Sequence, residues 1–204
     1  MKIYYLLYKK HKIAAKLFLI MMFIFFIQNN AYALIVNKLN PTYYFVNNEK
    51  ELEELRTKLI QGNKVGITGI TGKGKSELAK KYVEKYAKNY ELIAFIDVDS
   101  DLIPQYIEIS KALNKDNKNN IPLDPNTIKQ NLKNYLDLRS DWLFIYDNVK
   151  IAQNKKIQEI NEWIGSGHII ITTQDMHGIT NRVEVPYLQD KDSMKLIKKI
   201  IDMP

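Results

Sequence analysis

The stretch Gly69-Ile70-Thr71-Gly72-Lys73-Gly74-Lys75-Ser76 fills every fixed position of the pattern G-x-x-x-x-G-K-[ST]. That spacing suits one kind of chemistry, the cradling of a polyphosphate. Glycines let backbone N–H groups close around phosphate oxygens, and a helix that opens at Lys75 adds the partial positive charge of its N-terminus. Lys75 is placed to reach the β- and γ-phosphates, and the hydroxyl of Ser76 to hold Mg²⁺. Gly69, Thr71, Gly72, Lys73, Gly74, Lys75, Ser76 and Glu77 are therefore the expected phosphate contacts. A second stretch, Trp142-Leu143-Phe144-Ile145-Tyr146-Asp147-Asn148, is bulky and apolar and ends on an acid. Apolar residues followed by Asp recur at many strand ends, but this one lies about 70 residues after the loop. At that place a carboxylate sits beside the phosphate loop and orders Mg²⁺, usually through water. Ser76 and Asp147 are thus the candidate metal-holding pair. A third stretch, His168 to Thr173, is β-branched and ends in Gln174-Asp175, so Gln174 is expected at the γ-phosphate.

The elements that must position these residues follow from periodicity. Lys64 to Thr68 reads as a short buried strand, and Leu78, Tyr82, Val83 and Tyr86 recur at helical spacing after the loop. Strand, glycine loop and helix come in the order the chemistry needs. Leu52, Leu55 and Leu59 predict an amphipathic helix over 49–61, ended by Gly62-Asn63 with glycine near the C-cap. Glu91 to Val98 is nearly all apolar, as in an interior parallel strand. Leu102 to Leu113 reads as helix and the polar 114–120 as loop. Asp124-Pro125 suits a helix start, with Ile128, Leu132, Tyr135 and Leu136 on its buried face. Ile157, Ile160 and Trp163 mark another helix, broken by Gly165-Ser166-Gly167. Arg182 to Leu188 reads as a short strand, and Met194, Ile197, Ile200 and Ile201 stripe the last helix. Strands alternating with helices predict a parallel sheet with right-handed crossovers, with its sites at the carboxyl ends of the strands.

Composition narrows the chemistry. The chain has 204 residues, 46% hydrophobic and 26% charged, with no cysteine. Neither disulfides nor thiolate metal sites are possible. His11, His168 and His177 do not cluster, so the expected metal is Mg²⁺ shared with a nucleotide. Of the net charge of +7, five positive charges are Lys2, Lys9, Lys10, Lys12 and Lys16, in a segment 1–33 that has no acid. The rest of the chain is nearly balanced, and nucleic-acid binding is not expected. The same segment carries an unbroken apolar run of eleven residues, Leu17 to Ile27, and then Ala31-Tyr32-Ala33. A basic start, a short apolar stretch and A-x-A describe a signal peptide cleaved after Ala33. The run is shorter than the roughly 20 apolar residues of a spanning helix. An uncleaved anchor, or a true start further downstream that leaves the protein cytoplasmic, are the alternatives. Residues 34–48 read as a connector, and 49–204 as the domain, whose contact with a membrane is only through the N-terminal segment.

With these residues placed, the chain resembles the NB-ARC domain of STAND-class NTPases over about residues 43–201. The resemblance rests on Tyr44-Phe45-Val46 with Glu49 and Glu51-Leu52, on the phosphate loop (the Walker A motif), on Trp142 to Asn148, on Gly167 to Asp175, and on Val185-Pro186-Tyr187-Leu188 followed by a helix. It implies a three-layer α/β P-loop NTPase fold with a parallel sheet, binding of ADP or ATP with Mg²⁺, Val46 against adenine, and a signalling role with a protein partner. Departures are Asn47-Asn48 where the family usually has Gly-Arg, Gln174 where it often has a phosphate-sensing Arg, and Asn148 in place of a second acid. The chain also ends before the family's helical and winged-helix parts, which gives the expectation of a core domain alone. Nucleotide binding is better supported than switching, and switching better than fast hydrolysis. Two rivals share the fold: a phosphotransferase, which needs an acceptor pocket and arginines beyond Arg56, Arg139 and Arg182, and a binding module without turnover.

Overall fold

The computed structural model describes residues 33–37, 49–117, 119–150, 154–163, 165, 167–174, 179–187 and 190–201 and, before them, Lys16, Phe18 and Met21. The chain divides into two compact units, Met1–Tyr32 and Ala33–Pro204, and the second holds the sheet. Its elements are β1 (Leu34–Val36), α1 (Glu49–Gly62), β2 (Lys64–Thr68), α2 (Lys75–Tyr86), β3 (Leu92–Asp97), α3 (Leu102–Asn117), α4 (Ile128–Leu136), β4 (Trp142–Val149), α5 (Asn154–Asn161), β5 (His168–Thr173), β6 (Arg182–Glu184) and α6 (Asp190–Ile201).

The six strands pair in the order β1-β3-β4-β5-β2-β6, and every pair is parallel. Successive side chains of a strand point to opposite faces, and both faces here are apolar. Leu92, Ala94 and Ile96, Trp142, Phe144 and Tyr146, and Ile169 and Ile171 pack with α3, α4, Ile160 and Trp163. Ile93, Phe95, Leu143, Ile145, Ile170, Val65 and Ile67 pack with Leu52, Leu55 and Leu59 of α1 and Leu78, Tyr82 and Val83 of α2. The result is three layers, helices on sheet on helices, which explains why these strands read as continuous apolar runs.

The order of strands does the positioning. β5 lies between β2 and β4, so the loop after β2 opens beside the end of β5, and the end of β4 is one strand further on. All three carboxyl ends face the same way because all pairings are parallel.

Several boundaries differ from the sequence reading, each for a local reason. α1 ends with Asn63, not Gly62, in the left-handed conformation (φ 58°), with the Asn63 N–H bonded to the Leu59 carbonyl at 2.8 Å. α3 continues through Asn114 to Asn117, where a loop was expected. The Asn114 amide ties the end of this helix to Ile121 by bonds of 3.0 and 2.8 Å. Asp124-Pro125 does not start α4. Asp124 instead caps a turn, its carboxylate accepting from the Asn126 N–H at 2.9 Å, and the helix begins at Ile128. Residues 34–48, read as a connector, contain the edge strand β1, and β6 is shorter than the 182–188 expected. On α6, Met194, Ile197 and Ile201 are exposed.

Candidate functional site

Glycine is required where the phosphate loop bends. Gly69, Gly72 and Gly74 have φ of 149°, 81° and 89°, a region that side chains with a Cβ rarely enter. Gly74 is the N-cap of α2, and the first backbone bond of the helix runs from the Leu78 N–H to the Gly74 carbonyl at 2.9 Å. The N–H groups of Lys75, Ser76 and Glu77 precede that bond, and no intrahelical carbonyl can serve them. Loop and helix therefore present backbone donors to one concave surface, as anion binding needs.

Two side chains converge on one carboxylate oxygen. Ser76 Oγ donates to Oδ1 of Asp147 at 2.7 Å, and the Thr172 hydroxyl donates to the same Oδ1. Thr172 in turn accepts from the Asn148 N–H at 3.0 Å. Asp147 is thus aimed at the loop by two hydroxyls, one on α2 and one on β5. Lys75 Nζ donates to the Ile70 carbonyl at 3.1 Å, across the mouth of its own loop. Burial lowers its pKa, the Asp147 charge opposes that shift, and Lys73 adds to it.

The other sequence-predicted residues fall into different places. Gln174 lines a cavity of about 190 Å³ together with Lys75, Asp99, Asn148, Lys150 and Thr173. The Lys73 side chain turns away from the cradle, its Nζ 3.7 Å from the Tyr187 ring centroid and 3.9 Å from Glu184 Oε1. The Glu77 carboxylate is paired with Lys80 at 2.5 Å. For Glu77 the backbone N–H, not the side chain, is what the site can offer a phosphate, whereas the Lys73 N–H is bonded to the Ile70 carbonyl at 3.3 Å. Thr71 is exposed at the loop's tip. Val46 and Asp175 lie outside the described residues.

Sequence reasoning passed over Thr172, Lys150 and Asp99. Threonines in a β-branched run read as strand formers. Only the β4–β5 register, which sets Thr172 beside Asp147, reveals the hydroxyl as a partner of the acid. A larger cleft, about 540 Å³, is lined by Asp147 itself with Asn37, Asp97, Asp99, Gln105 and Asn148.

The donor set suits a hard cation. Ser76 and Asp147 offer two oxygens within hydrogen-bond distance of each other. Among the described residues no group of three or more His, Cys, Asp or Glu could hold a metal alone. Mg²⁺ is characteristically bound this way, by one or two protein oxygens with phosphates and water completing its octahedron.

The family model of the NB-ARC domain matches residues 48–203. The chain belongs to the NB-ARC family. It is a nucleotide-binding P-loop domain, and its parallel sheet is that of the P-loop NTPases. The NB-ARC core is similar in fold to the Walker-type ATPase PABY2304 of Pyrococcus abyssi, with a TM-score of 0.54 and 16% identity over 82% of this chain and 63% of that one. A second solved structure, the ORC2 protein of Aeropyrum pernix in ADPNP–ADP complexes, gives a TM-score of 0.49 and 14% identity over 80% of this chain and 53% of that one. This NB-ARC chain spans less than two thirds of the length of either. No curated protein matches it.

Proposed function

We propose that this NB-ARC domain binds ADP and ATP with Mg²⁺, hydrolyses ATP slowly or not at all, and acts as a nucleotide-dependent switch for a protein partner, or is the remnant of one. The observation that carries the reading is the 2.7 Å contact between Ser76 and Asp147 at the mouth of an intact phosphate loop. In this reading the backbone N–H groups of the loop glycines and of the first turn of α2 hold the phosphates. Lys75 leaves the Ile70 carbonyl for a β- or γ-phosphate oxygen, exchanging a neutral acceptor for a charged one. Ser76 and Asp147 would hold Mg²⁺ between them, while Thr172 keeps the carboxylate aimed at the loop. The ion's contribution is to neutralise charge on the β- and γ-oxygens. Asn148 follows Asp147 and has no carboxylate to take a proton from water. Adenine is favoured over guanine because the chain has no Asn-Lys-x-Asp motif and belongs to this family.

The direct test is to purify the full-length chain, release any bound small molecule by denaturation, and identify it by mass spectrometry. ADP or ATP at near one per chain supports the reading. An empty protein that also fails to bind either nucleotide in calorimetry overturns it.

One observation favours a phosphotransferase as the second reading. The 540 Å³ cleft shares Asp147 with the nucleotide side and has room for a small acceptor. Against it, Arg56 is bonded to Tyr82 and Arg139 lies on the Tyr135 ring, and neither lines either cavity. Transfer of labelled phosphate from ATP to a small hydroxyl or amine acceptor would decide for it.

The N-terminal segment is proposed to direct the protein to a membrane, with cleavage after Ala33. Among the described residues no helix is long and apolar enough to cross a membrane. Leu17 to Ile27 lie outside them apart from Phe18 and Met21. N-terminal sequencing that finds an intact Met1 in a soluble fraction would rule this out.

A further inference from the structure

The cavity of about 190 Å³ beside the phosphate loop is walled by two lysines from different parts of the chain, Lys75 and Lys150, and one acid, Asp99, with neutral Asn148, Thr173 and Gln174 around them. Lys150 follows β4 directly. The β4–β5 register breaks between Tyr146 and Val149, and Asn148 sits in the left-handed conformation at φ 65°, a region Asn tolerates. The strand end is therefore bent where it passes the cavity. Lys150 Nζ is 2.7 Å from Oδ1 of Asp99, and the two side chains are 54% and 43% exposed. An ion pair that open to water is weak and is screened by salt. It can be exchanged for a better anion.

ATP differs from ADP by a terminal phosphate, which brings additional negative charge next to Lys75. Gln174, at the strand end on this cavity, carries no charge to meet it. We propose that Lys150 is the residue that distinguishes ATP from ADP: Asp99 holds it in the empty and ADP-bound states, and the γ-phosphate draws it away. Asp99 leads into α3 and Lys150 leads out of β4, so exchange of this partner changes a tie between two segments of the chain. The nucleotide state is thereby written into the surface beside the site. The proposal rests on the nucleotide-binding reading and adds to it the residue that reads the phosphate count.

The test is calorimetry of the full-length chain with Mg²⁺-ADP and Mg²⁺-ATP for the parent, Lys150→Ala, Lys150→Arg and Asp99→Asn, with thermal melts to confirm folding. Lys150→Ala should weaken ATP binding about five-fold or more, the loss of one charge-assisted contact in a half-exposed position, and leave ADP binding within about two-fold of the parent. Lys150→Arg should keep the parent's ratio of affinities. Asp99→Asn, by releasing Lys150, should tighten ATP and not ADP. Equal changes for both nucleotides in Lys150→Ala, or an unchanged ratio in Asp99→Asn, overturn the role of Lys150 while leaving nucleotide binding intact. A parent that binds neither nucleotide overturns both.

Discussion

Asp97 and Asp147 stand opposite each other in the parallel register of β3 and β4, yet their carboxylates face different tasks. Asp97 turns into its own chain, accepting from the Asp99 N–H at 3.0 Å and the Ser100 hydroxyl at 2.6 Å. Asp147 turns out to Ser76 and Thr172. Two neighbouring strands thus carry the same residue type at paired positions, one closing a turn and one facing the phosphate loop.

The two aspartates should separate in a mutational test. Asp147→Asn should abolish the Mg²⁺-dependence of nucleotide affinity, read by titrations with and without the ion. Asp97→Asn should retain that dependence and instead lower the melting temperature. The reverse assignment of effects would show that the wrong carboxylate has been placed at the metal.

Lys75→Ala should weaken both ADP and ATP by at least ten-fold, about 1.4 kcal/mol or more. The lysine now bonds only a neutral carbonyl across its loop, so its removal should hardly alter thermal stability without nucleotide. Calorimetry giving equal affinity in mutant and parent would show that the loop does not bind phosphate in the manner proposed.

Turnover should be slower than about one per minute, far below the roughly 1–100 per second of kinases. Catalysis of this kind relies on positioned charge and an oriented water, and the chain has Asn148 after Asp147 and Gln174 at the strand end. A steady-state phosphate-release assay returning several turnovers per second would refute it.

Much of this architecture was legible because the four central strands, β2 to β5, are buried on both faces. Runs such as Trp142 to Tyr146 can hardly be anything else, and Gly69 to Ser76 carries its backbone requirement in its glycines. The pairing of Thr172 with Asp147 was not legible, since it depends on a register across 25 residues of sequence. Nor was the direction of Lys73, whose loop position suggests a phosphate contact but whose ammonium is drawn to Tyr187 and Glu184. The end of α3 was misplaced because the Asn114 side chain, bonded to Ile121, lets the polar segment continue as helix, and the start of α4 because Asp124 bonds Asn126 in a turn ahead of the helix.

Gly167→Ala should be among the most damaging single substitutions far from the loop. A Cβ there would fall 2.0 Å from the ring of Trp142, whereas at Gly165 the nearest contact would be an ordinary 3.4 Å. Trp142 cannot easily yield, since its Nε1 is bonded to the Leu136 and Arg139 carbonyls and its ring packs on Phe144. Overpacking of this kind costs about 1–3 kcal/mol, measurable by urea unfolding, with Gly165→Ala as the near-neutral control. Equal stabilities would show that the ring has room to move.

Stability should fall on acidification through His168. Burial, and then the charge of Arg56, lower its pKa from the usual 6.5. Its Nδ1 lies 2.7 Å from the Tyr90 hydroxyl, which also contacts Tyr82. A neutral imidazole can accept there. Because the folded pKa is the lower one, the unfolded chain binds the proton more readily. This contribution is complete above about pH 6.5 and is lost as the pH falls toward the folded value. Melting curves between pH 7.5 and 5 should show this loss, and His168→Gln should flatten it. A mutant with the parent's full acid sensitivity would place the effect elsewhere.

The edge strand β1 sets a timing condition on any processing of the chain. Leu34 pairs with Leu92, and its N–H is bonded to the Glu91 carbonyl at 2.8 Å. The peptide bond between Ala33 and Leu34 therefore enters the sheet at its first residue. A protease must draw its substrate out as an extended, unpaired segment, which this bond no longer is once β1 has docked. Cutting after Ala33 and folding of the domain then compete for the same few residues. Were a leader to be cut there, only chains reached by the protease before the sheet closes would lose it.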